Sequence, residues 1–510
     1  MTKFRVRGGM PLAMLSAAVA TATVLAGCST VTGGNDPKGA ANRLTAAGTY
    51  AIESLDPHGA QGASTGTQFA GQAIFSRLVR PKPDGSLTGD LAKSWRANDD
   101  ASEWTLTLRE DATFSDGKPV TANDVVASFK RMMALDGPNA GNFPDYTMTA
   151  TSGTEVVIKA PAPDAAIPGK LGLFYVIPAD VKPDDTKFFD KPVGSGPFTV
   201  ERYTPGEALV LVPNKKYWGK RAELGQVTIR NIPELSARLT ALRTGEVDVV
   251  WGIPDDQLPA LQGEKRLTVK TVPSTAVFTM WFNSSTRELA DAKVRRALWQ
   301  AVDFETIIKQ LYPKTGTLAD APVAPVVLGH AAQSPVGHDP KAAQAALKAA
   351  GFDFSKKLRL QFANAEFRPF IQAVASDLAE IGVKVDALEK EQAVFTEDLL
   401  ALKWDVNFQQ LATPTFDAAS NLGRLYTCAA KRNGYCDSKL DGLLAAAGSS
   451  TDEAERVKLY GRASEIIWRD AVGMFPMAVG IAYAWNGALE GFTPDPSGLP
   501  DFSTVKITGS

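Results

Sequence analysis

Apolar residues along this chain recur with two different periods, and the two alternate from one end to the other. Glu103 to Glu110 (EWTLTLRE) sets Trp104, Leu106 and Leu108 between polar neighbours, the period-2 pattern of a half-buried strand. TEVVIKA and QVTIRNIP repeat that pattern. Leu44 to Ile52 predicts a further strand, and Thr275 to Asn283 (TAVFTMWFN) is a nearly unbroken β-rich run. Helical spacing appears between these strands. Phe69, Ala73, Phe75, Leu78 and Val79 predict a helix through GTQFAGQAIFSRLVR, and Thr121 to Asp124 opens another that runs through Arg131. Asp291 to Leu311 reads as one long amphipathic helix. In AERVKLYGRASEIIWRD, Leu459, Ala463 and Ile467 fall on one face.

The order of these elements carries the fold class. QVTIRNIP, a helix in ELSARLTALRT stopped by Gly245, and a short strand into Trp251 form a strand–helix–strand unit. KLRLQFAN, FIQAVASDLAEIGV and KVDALEK form a second. Such units favour an α/β sheet. Strand-like crossings separate them, and such crossings are where a hinged two-lobe protein bends. A chain of 510 residues is too long for one core, and no fixed-period repeat is present.

The N-terminus changes the picture. Lys3, Arg5 and Arg7 precede an apolar run, Met10 to Ala26, with no acidic residue before Asp36. That is the layout of a signal peptide over residues 1–27, too short and too Ala-rich to span a membrane. Leu25 to Cys28 (LAGC) resembles a bacterial lipobox, which makes Cys28 the lipid-attachment residue and the first of the mature chain; an ordinary secretory signal is the alternative. Residues 28–41 are small and polar and read as a flexible tether. No later stretch is long and apolar enough to cross a bilayer, so the body is expected outside the cytoplasmic membrane, anchored at one point. Such a compartment is oxidising, and Asn433-Gly434 is a turn pair. A Cys428–Cys436 disulfide is therefore the expectation, with two free thiols as the alternative. A net charge of −2 excludes a broad nucleic-acid surface.

Catalytic signatures are sparse. Gly194-Ser195-Gly196 precedes Pro197 and a strand, not a helix, so it is no phosphate cradle. No H-E-x-x-H motif is present, no nucleophile elbow is recognised, and only three histidines occur, at 58, 330 and 338. The chain is therefore read as a binding protein with no catalytic residue, metal or cofactor, a secreted hydrolase being the rival. Trp251, Trp281 and Trp404, on or at the ends of crossing strands, are read as facing a cleft, with core packing as the alternative.

Seven motifs then occur in one order: IFSRLVRPKPDGSLTGDLAKSW, WTLTLREDATFSDGKPVTANDVVASFKR, VGSGPFTVERYTPGE, LVPNKKYW, RLTALRTGEVDVV, FNSS and KVRRALWQAVDFETI. In this the chain resembles the extracytoplasmic solute-binding proteins of ABC importers, in the peptide/nickel family of oligopeptide- and dipeptide-binding proteins. The resemblance implies a two-lobe α/β periplasmic-binding-protein fold of cluster C type, with an extra subdomain and hinge-crossing strands. It assigns residues 42–70, 190–275 and 482–510 to the first lobe, 71–189 to the extra subdomain and 276–481 to the second lobe. It implies a monomer that captures a peptide or peptide-like solute and delivers it to membrane permease subunits. An oligosaccharide or a metal chelate is the alternative cargo. Thr67 and Gln68 fall in a loop that lines the family's cleft, and the cysteine pair matches a disulfide of dipeptide-type relatives. The carboxylate that holds a peptide amino group in such relatives falls near Pro414, which cannot serve. Asp417 either substitutes for it or caps a helix, and Arg368 either holds a solute carboxylate or is a solvated helix-start residue.

Overall fold

The computed structural model describes residues 42–508, so the signal peptide, the tether and Cys28 lie outside the described residues. In chain order the elements used below are β1 (Arg43–Gly48), α1 (Thr65–Ile74), β2 (Ala92–Ala97), β3 (Glu103–Leu108), α2 (Ala122–Leu135), β4 (Thr147–Ala150) and β5 (Glu155–Lys159). Next come β6 (Phe198–Thr204), β7 (Ala208–Pro213), β8 (Gln226–Asn231), α3 (Leu235–Thr244), β9 (Val249–Trp251) and β10 (Leu267–Phe282). Then follow α4 (Ala292–Gln300), α5 (Phe304–Leu311), β11 (Lys357–Phe362), α6 (Arg368–Glu380), β12 (Lys384–Glu389) and β13 (Val406–Ala412). The last are α7 (Ser438–Ser449), α8 (Glu453–Arg469) and β14 (Met477–Asn486).

One twelve-stranded mixed sheet runs through the molecule in the order β6-β7-β8-β1-β9-β14-β10-β13-β11-β12, with two short strands beside it. It holds two parallel units, separated by antiparallel pairs and bordered at one end by the antiparallel β6-β7-β8 run. β1 lies parallel between β8 and β9, so the β8–α3–β9 crossover straddles it. At the far end β11 pairs parallel with β12 through α6. Both are the strand–helix–strand units expected from the sequence. Between them β9, β14, β10 and β13 pair antiparallel. A separate antiparallel sheet, β2-β3-β5-β4, carries α2 on one face.

Apolar side chains gather into distinct cores. One holds residues 277 to 477 around β10, β11 and β13. A second joins residues near the N-terminus, 198 to 251 and 483 to 505, and a smaller cluster packs α3 on the other sheet face. A third, from Leu78 to Val176, belongs to the small sheet. The fold is the two-lobe arrangement with an added subdomain, and β10 and β14 run side by side from one lobe into the other. The apolar half of β10, Ser274 to Phe282, is buried on both faces, whereas its first half is only partly covered.

Three elements differ from the pattern reading. β1 ends at Gly48, where a Cβ would lie 2.6 Å from the Trp251 ring, so only glycine admits the indole there. The helix expected through Arg80 stops at Ile74; Ser76–Arg77 and Val79–Pro81 are short strands paired with Tyr175–Val176 and Leu87–Gly89. Long-range pairing of the first and a local hairpin for the second override the helical period. The long helix over 291–311 is two, α4 and α5, because Asp303 caps α5 by accepting from the Thr306 N–H at 3.0 Å.

Candidate functional site

The two crossing strands build the site. Between Pro273 and Val277, β10 carries more residues than β14 does opposite them, where Gly480 and Ala478 pair. This bulge bends the strand where it passes between the lobes. The Ser274 hydroxyl fills it, donating to Val479 O at 2.6 Å and accepting from Ala276 N. Thr275 is thereby turned toward a cavity of about 750 Å³ whose walls come from every part of the molecule. α1 supplies Gln68 and Gln72, the short strands of the subdomain supply Arg77 and Arg80, and the C-terminal segment supplies Asp495 and Asp501. The second lobe closes it with Ala412, Pro414, Phe416 and Arg424. Phe416 is buried with φ of +57°, left-handed backbone that a phenylalanine takes only where its surroundings hold it. It stands between this cavity and a second one of about 630 Å³, between the subdomain and the second lobe.

Of the seven ligand residues expected from the sequence, the structure places only Gln68 on the wall of the first cavity. Thr67, beside it, is buried and donates to Ser54 O at 3.0 Å, holding the loop before α1. The three tryptophans belong to cores, not to the cleft. Trp251 packs between Tyr50 and Phe69. The Trp281 indole donates to the Tyr426 hydroxyl at 2.9 Å, and that of Trp404 donates to Leu399 O at 3.2 Å. Burial on both faces of a central strand leaves the Trp251 and Trp281 rings no path to a cleft, and Trp404 is buried in the turn before β13. Arg368 starts α6 and pairs at 2.7 Å with Glu389 on the outer surface. Asp417 points into the second cavity. It caps the turn after it through Ala419 N and binds Arg456 at 2.5 Å, both side chains being nearly inaccessible. Cys428 and Cys436 are joined in a disulfide.

Sequence reasoning missed the charged residues that do line the cavity. Arg77, Arg80 and Lys82 were legible as a basic cluster in SRLVRPK, yet the expected helix hid their common direction. Asp495 and Asp501 sit in TPDPSGLPD, which has no periodicity to read. Asp495 accepts from Ser497 N at 2.7 Å through Oδ1. Burial raises its carboxyl pKa, with the Ser497 hydrogen bonds and Arg77 opposing.

The hydrolase rival finds no support in His58. His58 is buried; its Nε2 donates to Tyr175 O at 2.8 Å, and its Nδ1 accepts from Arg131 at 3.3 Å. Arg131 in turn grips Asp56 with two bonds of 2.8 Å. Burial pushes the imidazole down to about 4, so it is neutral and fully engaged. The sequence reading passes over one serine motif: Gly62-Ala63-Ser64-Thr65-Gly66 has the G-x-S-x-G spacing. No strand precedes it, and Ser64 is the N-cap of α1, its hydroxyl accepting from Thr67 N.

Residues 86–433 match the family described as bacterial extracellular solute-binding proteins, family 5 Middle. The chain is 29% identical over 446 residues to the probable D,D-dipeptide-binding periplasmic protein of Escherichia coli, covering 83% of this chain and 86% of that one. Solved structures share the fold, two of them as follows. HbpA2 from Haemophilus parasuis superposes with a TM-score of 0.82 at 23% identity, over 92% of this chain and 100% of that one. The ABC transporter-associated periplasmic binding protein DppA from Helicobacter pylori, in complex with peptide STSA, gives 0.78 at 23% identity, over 92% and 98%.

Proposed function

We propose, from the premise that this chain belongs to the bacterial extracellular solute-binding proteins of family 5, that it captures a peptide or peptide-like solute between its lobes for an ABC importer. The observation that carries this reading is the 750 Å³ cavity at the β10 bulge, walled by both lobes and the subdomain. Its size is that of a small-molecule site, about 300–1,000 Å³. A solute seated there touches both lobes at once and so favours the closed form by its differential contacts. The division at residues 71, 190, 276 and 482 and the monomeric state are parts of the same reading. So is an absence of catalysis: the protein binds and releases its solute unchanged.

Delivery would be to permease subunits in the membrane on which the protein is anchored through Cys28. Among the described residues no helix is long and apolar enough to cross a membrane. Cys28→Ala is expected to move the protein from the membrane fraction to the soluble one without altering solute binding; retention on the membrane would remove the lipid anchor from the account.

The test of cargo is thermal unfolding against a peptide panel. A ligand at one hundred times its Kd stabilises by about 2.7 kcal/mol, enough to raise Tm measurably. A rise with peptides supports the proposal. The cationic residues on the wall favour one second reading, a carboxylate-bearing metal chelate. A rise with such chelates and with no peptide would put it first.

A further inference from the structure

The charges on the cavity wall are arranged, and their arrangement describes the solute. Four cationic side chains reach the cavity: Arg77, Arg80 and Lys82 from the subdomain and Arg424 from the second lobe. None of them forms an ion pair among the described residues. Arg80 and Lys82 donate no side-chain hydrogen bond there, and Arg424 donates only to Ser420 O at 3.2 Å, within its own turn. Asp90, buried behind the subdomain strands, accepts from the Arg77 backbone N–H and offsets part of this charge without facing the cavity. The carboxylates on the wall, Asp495 and Asp501, both come from the C-terminal segment of the first lobe. Asp495 leaves Oδ2 without a protein donor among the described residues. Arg424 is the only charged residue that the second lobe contributes to the wall. The cavity is thus net cationic in a chain whose formal charge is −2.

Unpaired guanidinium groups over a partly enclosed space form a carboxylate site, since a planar fork of donors matches a carboxylate with two bonds and the low-dielectric wall strengthens them. We propose that the solute is acidic, carrying more carboxylates than ammonium groups. Its carboxylates would lie against Arg424 and the Arg77/Arg80/Lys82 wall, and any ammonium group against Asp495. This deepens the peptide reading and rests on it only for the scaffold that carries the charges. The cleft then selects by charge, holding the acidic groups between the subdomain and the second lobe and any ammonium group toward the C-terminal segment.

The test is calorimetric titration of the whole protein with Ala-Ala-Ala, Ala-Glu-Ala, Ala-Lys-Ala and citrate, at low and high salt, repeated on Arg424→Ala and Arg80→Ala. The expected order is the acidic tripeptide at least tenfold tighter than the neutral one, with the basic one weakest. Arg424→Ala is expected to remove most of the acidic preference without lowering Tm, since Arg424 holds only its own turn. High salt is expected to narrow the gap. Equal affinity for the three tripeptides would overturn the acidic preference and leave the peptide reading standing. Citrate binding that is lost in both arginine variants, with no tripeptide binding, would support the anionic site and overturn the peptide reading. Binding of neither class overturns the proposal.

Discussion

An isolated charge is expensive where water cannot reach it, and the Asp417–Arg456 pair shows how this protein avoids one. Both side chains are under 10% exposed and the pair also meets the Tyr460 hydroxyl. Asp417→Asn keeps a capping side chain but leaves Arg456 without its counter-charge. It is expected to lower stability by about 3–5 kcal/mol in urea unfolding while solute affinity stays unchanged. Lost affinity at unchanged stability would instead make Asp417 a ligand group. His58 gives the pH dependence. Its folded pKa, about 4, lies below the ordinary imidazole value of 6.5, so the unfolded chain binds the extra proton between those values. Stability is therefore full above about pH 6.5 and falls as pH drops toward 4, by about 3 kcal/mol. His58→Gln is expected to flatten that window. Asp56 acts in the same direction: burial raises its carboxyl but the hydrogen bonds from Arg131 and the His58 backbone overcome this, so its contribution is also lost on acidification, in stronger acid. An unchanged pH profile in His58→Gln would show that other groups set it.

At the scale of elements, the sequence was read correctly where one period runs long enough to outweigh its surroundings. The alternation of β3, the apolar half of β10 and the strand–helix–strand order at each end of the sheet needed no tertiary knowledge. What failed was local pattern at junctions. Phe75, Leu78 and Val79 keep helical spacing, but a distant strand at Tyr175–Val176 and a hairpin with Leu87–Gly89 take the segment, and with it went the direction of Arg77 and Arg80. Asp291 to Leu311 keeps one apolar stripe across a break, because α4 and α5 present the same face to one core. The break depends on a cap. Asp303→Ala is expected to cost about 1 kcal/mol, seen as a shifted urea midpoint at constant slope. No shift would mean that packing alone separates the two helices. The tryptophans failed for a related reason: a crossing strand reads as cleft-facing until its two flanking neighbours are known. The disulfide closes a short turn that Asp441 ties to α7 through the Cys428 N–H. Its reduction is expected to remove about 2–3 kcal/mol from the second lobe.

For the whole molecule, capture depends on two adjacent strands that belong to both lobes. β10 bends at the Ser274-filled bulge, and β14 answers with Gly480, where a Cβ would lie about 3 Å from Thr271 and the Thr315 carbonyl. Closure about these strands is expected to shrink the radius of gyration in small-angle scattering when solute is added. The most direct measurement is native mass spectrometry of the protein recovered from its own host, compared with Ala412→Trp, which places an indole inside the cavity at the end of β13. The account predicts a small acidic solute on the parent protein and none on the variant. Equal occupancy of both would place the solute elsewhere and contradict capture between the lobes.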